Sequence, residues 1–108
     1  MTVKELSEKS GFSVVTLPAP SREIGGAYCC DLLSWVMGRA KADDAWITIM
    51  TNSNIIAVAS LADTACIILS EGVELDSEVK ALAESKGVNV LGTDKPIYET
   101  AATLSGLL

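Results

Sequence analysis

Ala45-Trp46-Ile47-Thr48-Ile49-Met50, then Thr51-Asn52-Ser53-Asn54, then Ile55 to Ala62, then Ala65-Cys66-Ile67-Ile68-Leu69: the reading of this stretch decides the fold. The first six residues, with Trp46 and the β-branched Ile47, Thr48 and Ile49, read as a strand. The polar quartet is a turn. Ile55-Ile56-Ala57-Val58-Ala59 with Leu61 and Ala62 is apolar nearly all round, which is the mark of a helix buried on most sides. Ala65 to Leu69 is a short continuous apolar run, which fits a strand covered on both faces. Strand, helix, doubly covered strand is a βαβ unit, and such units build a parallel sheet with right-handed crossovers.

Working outward, the same alternation continues. Thr2-Val3-Lys4-Glu5 is a capping box opening a helix to about Ser10, with Gly11 past its end. Ser13 to Leu17 reads as a strand, and Pro18-Ala19-Pro20-Ser21 as an extended link. Ile24 to Cys30 is a strand whose Gly25-Gly26 pair marks a bulge or a close backbone contact. Asp31 is placed to cap a helix from Leu32 to Arg39, with Leu32, Leu33, Val36, Met37 and Ala40 on its inner face and Trp35 outside it beside Arg39. Asn52 to Asp63 is the apolar helix, capped by Ser53 or Asn54. Asp76 caps another, with Val79, Leu82 and Ala83 inward and Gly87 at its end. Val88 to Leu91 is the last full strand, and Pro96 stands in the first turn of a closing helix, Ile97 to Leu107. The expected order is α-β-β-α-β-α-β-α-β-α: an α/β fold, mostly a parallel sheet flanked by helices.

Bulk properties narrow the function. One domain, residues 1–108, accounts for the length. Half the residues are hydrophobic (49%), and the mean hydropathy is +0.37. That surplus leaves apolar surface for a second copy or another partner, so a homodimer is expected. The net charge is −6, with eight basic residues and no basic cluster, which argues against nucleic acid and anionic membrane as partners. No basic-then-apolar leader opens the chain, and no apolar run approaches the ~18 residues of a membrane span. The expected setting is soluble and cytoplasmic.

Cys29, Cys30 and Cys66 form no C-x-x-C, and there is no histidine. The common zinc sets that need histidine are therefore excluded, and no metal or cofactor is expected. The cysteines read as small buried hydrophobes in a reducing compartment. There is also no G-x-x-x-x-G-K-[ST], no G-x-G-x-x-G and no G-x-S-x-G.

What remains is a coincidence of ends. Each expected strand finishes on small polar or acidic residues, and in a parallel sheet those ends share the edge where ligands bind. Thr51, Asn52, Ser53 and Asn54 are the strongest group, at a strand-to-helix turn whose amides favour an anion. Ser70, Gly72 and Thr93 stand at the neighbouring ends. Asp31, Glu71 and Asp94 are the carboxylates that a small enzyme would use there.

The order and spacing of Gly25-Gly26-Ala27-Tyr28, Asp31 to Gly38, Trp46-Ile47-Thr48-Ile49, Ala65 to Leu69 and Gly87 to Leu91 resemble the DRTGG-domain family. The resemblance covers nearly all of the chain past Leu17. It implies a stand-alone member, similar to the non-catalytic N-terminal domain of HPr kinase/phosphorylase. The family's Asp-Arg pair falls near Thr51-Asn52, where neither residue matches, and its Thr-Gly-Gly on Ser70-Glu71-Gly72, where only the last glycine does. The expected function is a regulatory or interaction module without catalysis, acting as a homodimer. The alternatives are a sensor of a nucleotide or phosphorylated metabolite at the strand ends, and a small carboxylate-dependent enzyme.

Overall fold

The computed structural model describes every residue from Met1 to Leu108. Helices α1 (Val3–Ser10), α2 (Leu33–Arg39), α3 (Asn54–Ala62), α4 (Ser77–Ser85) and α5 (Ile97–Leu107) enclose one sheet. Its strands are β1 (Ser13–Thr16), β2 (Gly26–Cys29), β3 (Asp44–Thr48), β4 (Cys66–Leu69) and β5 (Val90–Gly92). The spatial order is β1-β5-β4-β3-β2. Strands β2 to β5 are parallel, and β1 runs antiparallel along the outer side of β5.

The period-two alternation of strand side chains divides the core into two layers. Trp46, Ile67, Leu69 and Val90 point to the front, where Val36 of α2, Ile55, Ile56 and Ala59 of α3, and Val79 and Ala83 of α4 cover them. Ala45, Ile47, Cys66, Ile68 and Leu91 point to the back, against Val3 and Leu6 of α1 and Leu104 of α5. Strands β3 and β4 are both buried on both faces, and for β4 this is why it reads as a continuous apolar run. Polar side chains inside this core are hydrogen-bonded, the buried Thr64 hydroxyl being the exception. The Trp46 indole donates to the Cys30 carbonyl at 2.8 Å. The Asn89 amide donates to the Ala19 and Ala65 carbonyls at 2.7 and 3.1 Å and accepts from the Ala19 amide at 2.9 Å, which pins the proline-containing link to the sheet.

Several local expectations hold. Thr2 and Glu5 exchange the two hydrogen bonds of a capping box, at 3.0 and 3.1 Å. Asp76 accepts from the Val79 amide at 2.9 Å. The close contact expected at Gly25-Gly26 is real: a Cβ on Gly26 would lie 2.8 Å from Asp44 Oδ1. Arg39 stacks 3.7 Å from the centre of the Trp35 ring.

Others are corrected. Asp31 does not cap α2; its carboxylate turns back to the sheet and accepts from the Thr48 hydroxyl and the Ile49 amide. Ser53 holds the N-cap position of α3 but its hydroxyl makes no capping bond; the Asn52 side chain, one residue earlier, accepts from the Asn54 amide at 2.9 Å instead. Leu32 and Met37 are exposed instead of inward, because α2 is only two turns long and buries Val36 alone. Only Cys66 is a buried cysteine. Cys29 is exposed, because β2 is an edge strand whose back-facing Ala27 and Cys29 have no helix over them.

Candidate functional site

The chain connections create one crevice. After β4 the chain turns to the front of the sheet and forms α4; after β5 it turns to the back and forms α5. Where successive connections leave for opposite faces, the carboxyl ends of the strands part, and ligands of open α/β sheets bind there. The antiparallel course of β1 brings its first residues to the same end, against β5, and adds a third wall.

A groove of about 660 Å³ occupies this place, within the size range of small-molecule sites. Gly72, Val73, Glu74 and Leu75 of the β4–α4 loop, with Lys80 of α4, form one side. Gly92, Thr93, Asp94 and Lys95 form the floor and the opposite side. Gly11, Ser13, Val14 and Val15 close the outer edge.

Backbone geometry holds the crevice open. Glu71 and Gly72 both have positive φ, 61° and 72°, so the chain leaves β4 through a left-handed turn. Their amides donate to the Lys95 and Thr93 carbonyls at 2.9 and 3.0 Å, which ties the two loops together beneath the groove. The Ser13 hydroxyl donates to the Gly92 carbonyl at 3.1 Å. The Thr93 hydroxyl accepts from the Lys95 amide at 3.2 Å, so its own proton is left to donate elsewhere. Neither lysine meets a carboxylate: the salt bridges of the chain belong to the N-terminus and Arg22.

Of the rim residues expected from the sequence, Gly72 and Thr93 line the groove. Thr51, Asn52, Ser53 and Asn54 lie on the β3–α3 turn and do not line it. Ser70 is fully buried, and its hydroxyl donates to Thr100 of α5 at 3.0 Å. Among the carboxylates, Asp31 is engaged with Thr48, Glu71 is exposed beside the loop, and Asp94 faces the groove. Sequence reading missed Lys80, Lys95, Leu75 and the β1 wall. Nothing in the residues announced that β1 would lie beside β5, 77 positions further along the chain from Ser13 to Val90.

No three cysteine, aspartate or glutamate side chains gather in a way that could hold a metal ion. The thiols differ in character. Full burial pushes the Cys66 pKa up to about 12. Partial burial, and secondarily the Asp31 carboxylate, push that of Cys29 up as well. Neither sulfur is poised as a thiolate nucleophile, since desolvation favours the neutral form.

The protein is a mostly parallel three-layer α/β domain with a groove where the β4 and β5 connections part. The chain belongs to the DRTGG domain family, whose model matches residues 29–107. Among solved structures it is similar to the CBS and DRTGG domains of the regulatory region of Clostridium perfringens pyrophosphatase, complexed with the activator diadenosine tetraphosphate. The TM-score is 0.74 at 11% identity, over 95% of this chain. The chain spans 45% of the length of that structure. No curated protein matches.

Proposed function

We propose that this protein is a regulatory module without catalysis that works as a homodimer. The observation that carries the reading is family membership, together with a fold shared with part of an enzyme's regulatory region. The dimer is supported by apolar side chains left at the surface of the front helices. Leu32, Trp35 and Met37 of the α2 segment are 42–53% exposed, and Leu61 of α3 is 73% exposed. On a chain of 108 residues this is more than isolated surface leucines. The interface uses α2 around Trp35 or the neighbouring α3. Incubation with nucleotides and phosphorylated metabolites, followed by phosphorus NMR, tests the absence of catalysis. The compounds come back unchanged; steady conversion of any one overturns the reading.

A second reading, that the module senses a nucleotide or phosphorylated metabolite at the strand ends, is favoured by the groove between β4 and β5. The activator bound by the pyrophosphatase region is itself a nucleotide. A thermal-melt screen tests it. A ligand at 100 times its dissociation constant adds about 2.7 kcal/mol of stability, a clear rise in Tm. A flat screen leaves the interaction module.

A further inference from the structure

We propose that the β4–β5 crevice is the seat of a phosphorylated small molecule of about nucleoside-monophosphate size, with the phosphoryl group held by Lys80 and Lys95. The inference rests on the sensor reading and goes beyond it by choosing one place and one anchoring chemistry. It also moves the centre of binding away from the Thr51–Asn54 turn, where the Asn52 side chain already occupies the Asn54 amide.

Two independent features single out this place. Topology puts the parting of the connections between β4 and β5. The shape of the surface puts a groove of about 660 Å³ there. At its base Gly72 packs under the Asp94 carboxylate, and Gly92 packs against Ser13 and Val15, so the glycines let the walls of the groove close on one another below the lysines.

The lining sets the ligand class. Lys80 and Lys95 come from opposite sides and carry no salt bridge, in a chain whose acids outnumber its bases by fourteen to eight. An anion entering against a net charge of −6 needs such local cations. The Lys95 ammonium also donates to the Thr103 hydroxyl at 3.2 Å, which leaves two of its three protons for a ligand. The free proton of the Thr93 hydroxyl adds a neutral donor. Asp94 and Glu74 in the same groove would repel a bare inorganic anion but accept hydrogen bonds from sugar hydroxyls. Val14 and Leu75 offer an apolar wall for a flat ring. A phosphate, hydroxyls and a flat apolar face together describe a nucleoside phosphate better than any one of those groups alone.

The test is an amide NMR titration of the whole chain with AMP, adenosine and inorganic phosphate. AMP moves the Gly72, Gly92 and Lys95 amides, and adenosine binds at least tenfold more weakly. The double variant Lys80→Met, Lys95→Met keeps the wild-type spectrum elsewhere, which shows that it folds, and loses at least tenfold in AMP affinity. Shifts centred on Asn52, Ser53 and Asn54 overturn this seat while keeping the sensor reading. Equal binding of AMP and adenosine, or undiminished AMP binding by the double variant, overturns the lysine anchor. No shift with millimolar AMP overturns the proposal, and the sensor reading is then judged by the melt screen alone.

Discussion

The Asp94 carboxylate packs over Gly72 so closely that a Cβ on residue 72 would lie 3.1 Å from Asp94 Oδ1. One residue ends the β4 side of the gap and the other the β5 side. Their contact, with the Gly72 amide donating to the Thr93 carbonyl at 3.0 Å, closes the two strand-end loops on each other beneath the groove.

Gly72→Val therefore does two things. It puts a β-branched residue at a φ of 72°, which costs about 1–2 kcal/mol. It also pushes the Asp94 carboxylate aside and narrows the groove. Urea unfolding checks the first effect and AMP titration the second. A variant of unchanged stability would show that the left-handed turn is not needed.

At the opposite end of the sheet one arginine holds two turns. Arg22 donates to Asp43 Oδ1 at 2.7 and 3.0 Å, to Asp63 Oδ1 at 3.1 Å and to the Asp63 carbonyl at 2.7 Å. Asp43 and Asp63 both have positive φ, 69° and 58°, immediately before or near the starts of β3 and β4. Exposed ion pairs contribute little, but here a half-buried guanidinium also satisfies a backbone carbonyl. Arg22→Ala should lower stability by about 1–2 kcal/mol, with most of the loss persisting at high salt. A loss that vanishes at 1 M salt would mean simple surface charge pairing.

Asn89 is 2% exposed and makes three hydrogen bonds to main-chain groups of the Ala19 link and of Ala65. Asn89→Ala strands those groups, at a cost of about 2–3 kcal/mol. Equilibrium denaturation measures it, and a change below about 0.5 kcal/mol would contradict the assigned role.

The thiols predict a pH dependence of definite sign. The unfolded chain releases the Cys66 proton near the ordinary value of 9.0, whereas the folded chain keeps it to about 12. The unfolded state then binds fewer protons, so stability falls as pH rises between those values. Cys66→Val should flatten that part of the stability profile, with Cys29 contributing a remaining slope of the same sign. A thiol reagent at pH 8 should label Cys66 only after denaturation. Rapid labelling of all three cysteines in the native protein would refute this.

The alternation of elements was legible because burial on both faces writes a continuous apolar run at Ala65–Leu69, because Ala45–Ile49 is rich in β-formers, and because Thr2 and Asp76 are strong caps. Asp31 misled because the same carboxylate that would cap α2 finds a buried hydroxyl, Thr48, on the neighbouring strand. The rim was legible as an edge but not as a groove. Which two strand ends part depends on which face each helix takes, and residues such as Lys80 and Lys95 carry no local sign of that choice. The place of β1 was hidden for a similar reason: pairing with β5 is set by long-range packing, not by anything in Ser13 to Thr16.

The paired state of the module is tested most directly by light scattering at micromolar concentration. The account predicts a mass about twice the 11.3 kDa of one chain, reduced to one chain by Trp35→Asp or by Leu61→Asp, according to which helix forms the interface. A wild-type mass that stays at 11.3 kDa as the protein is concentrated would contradict it.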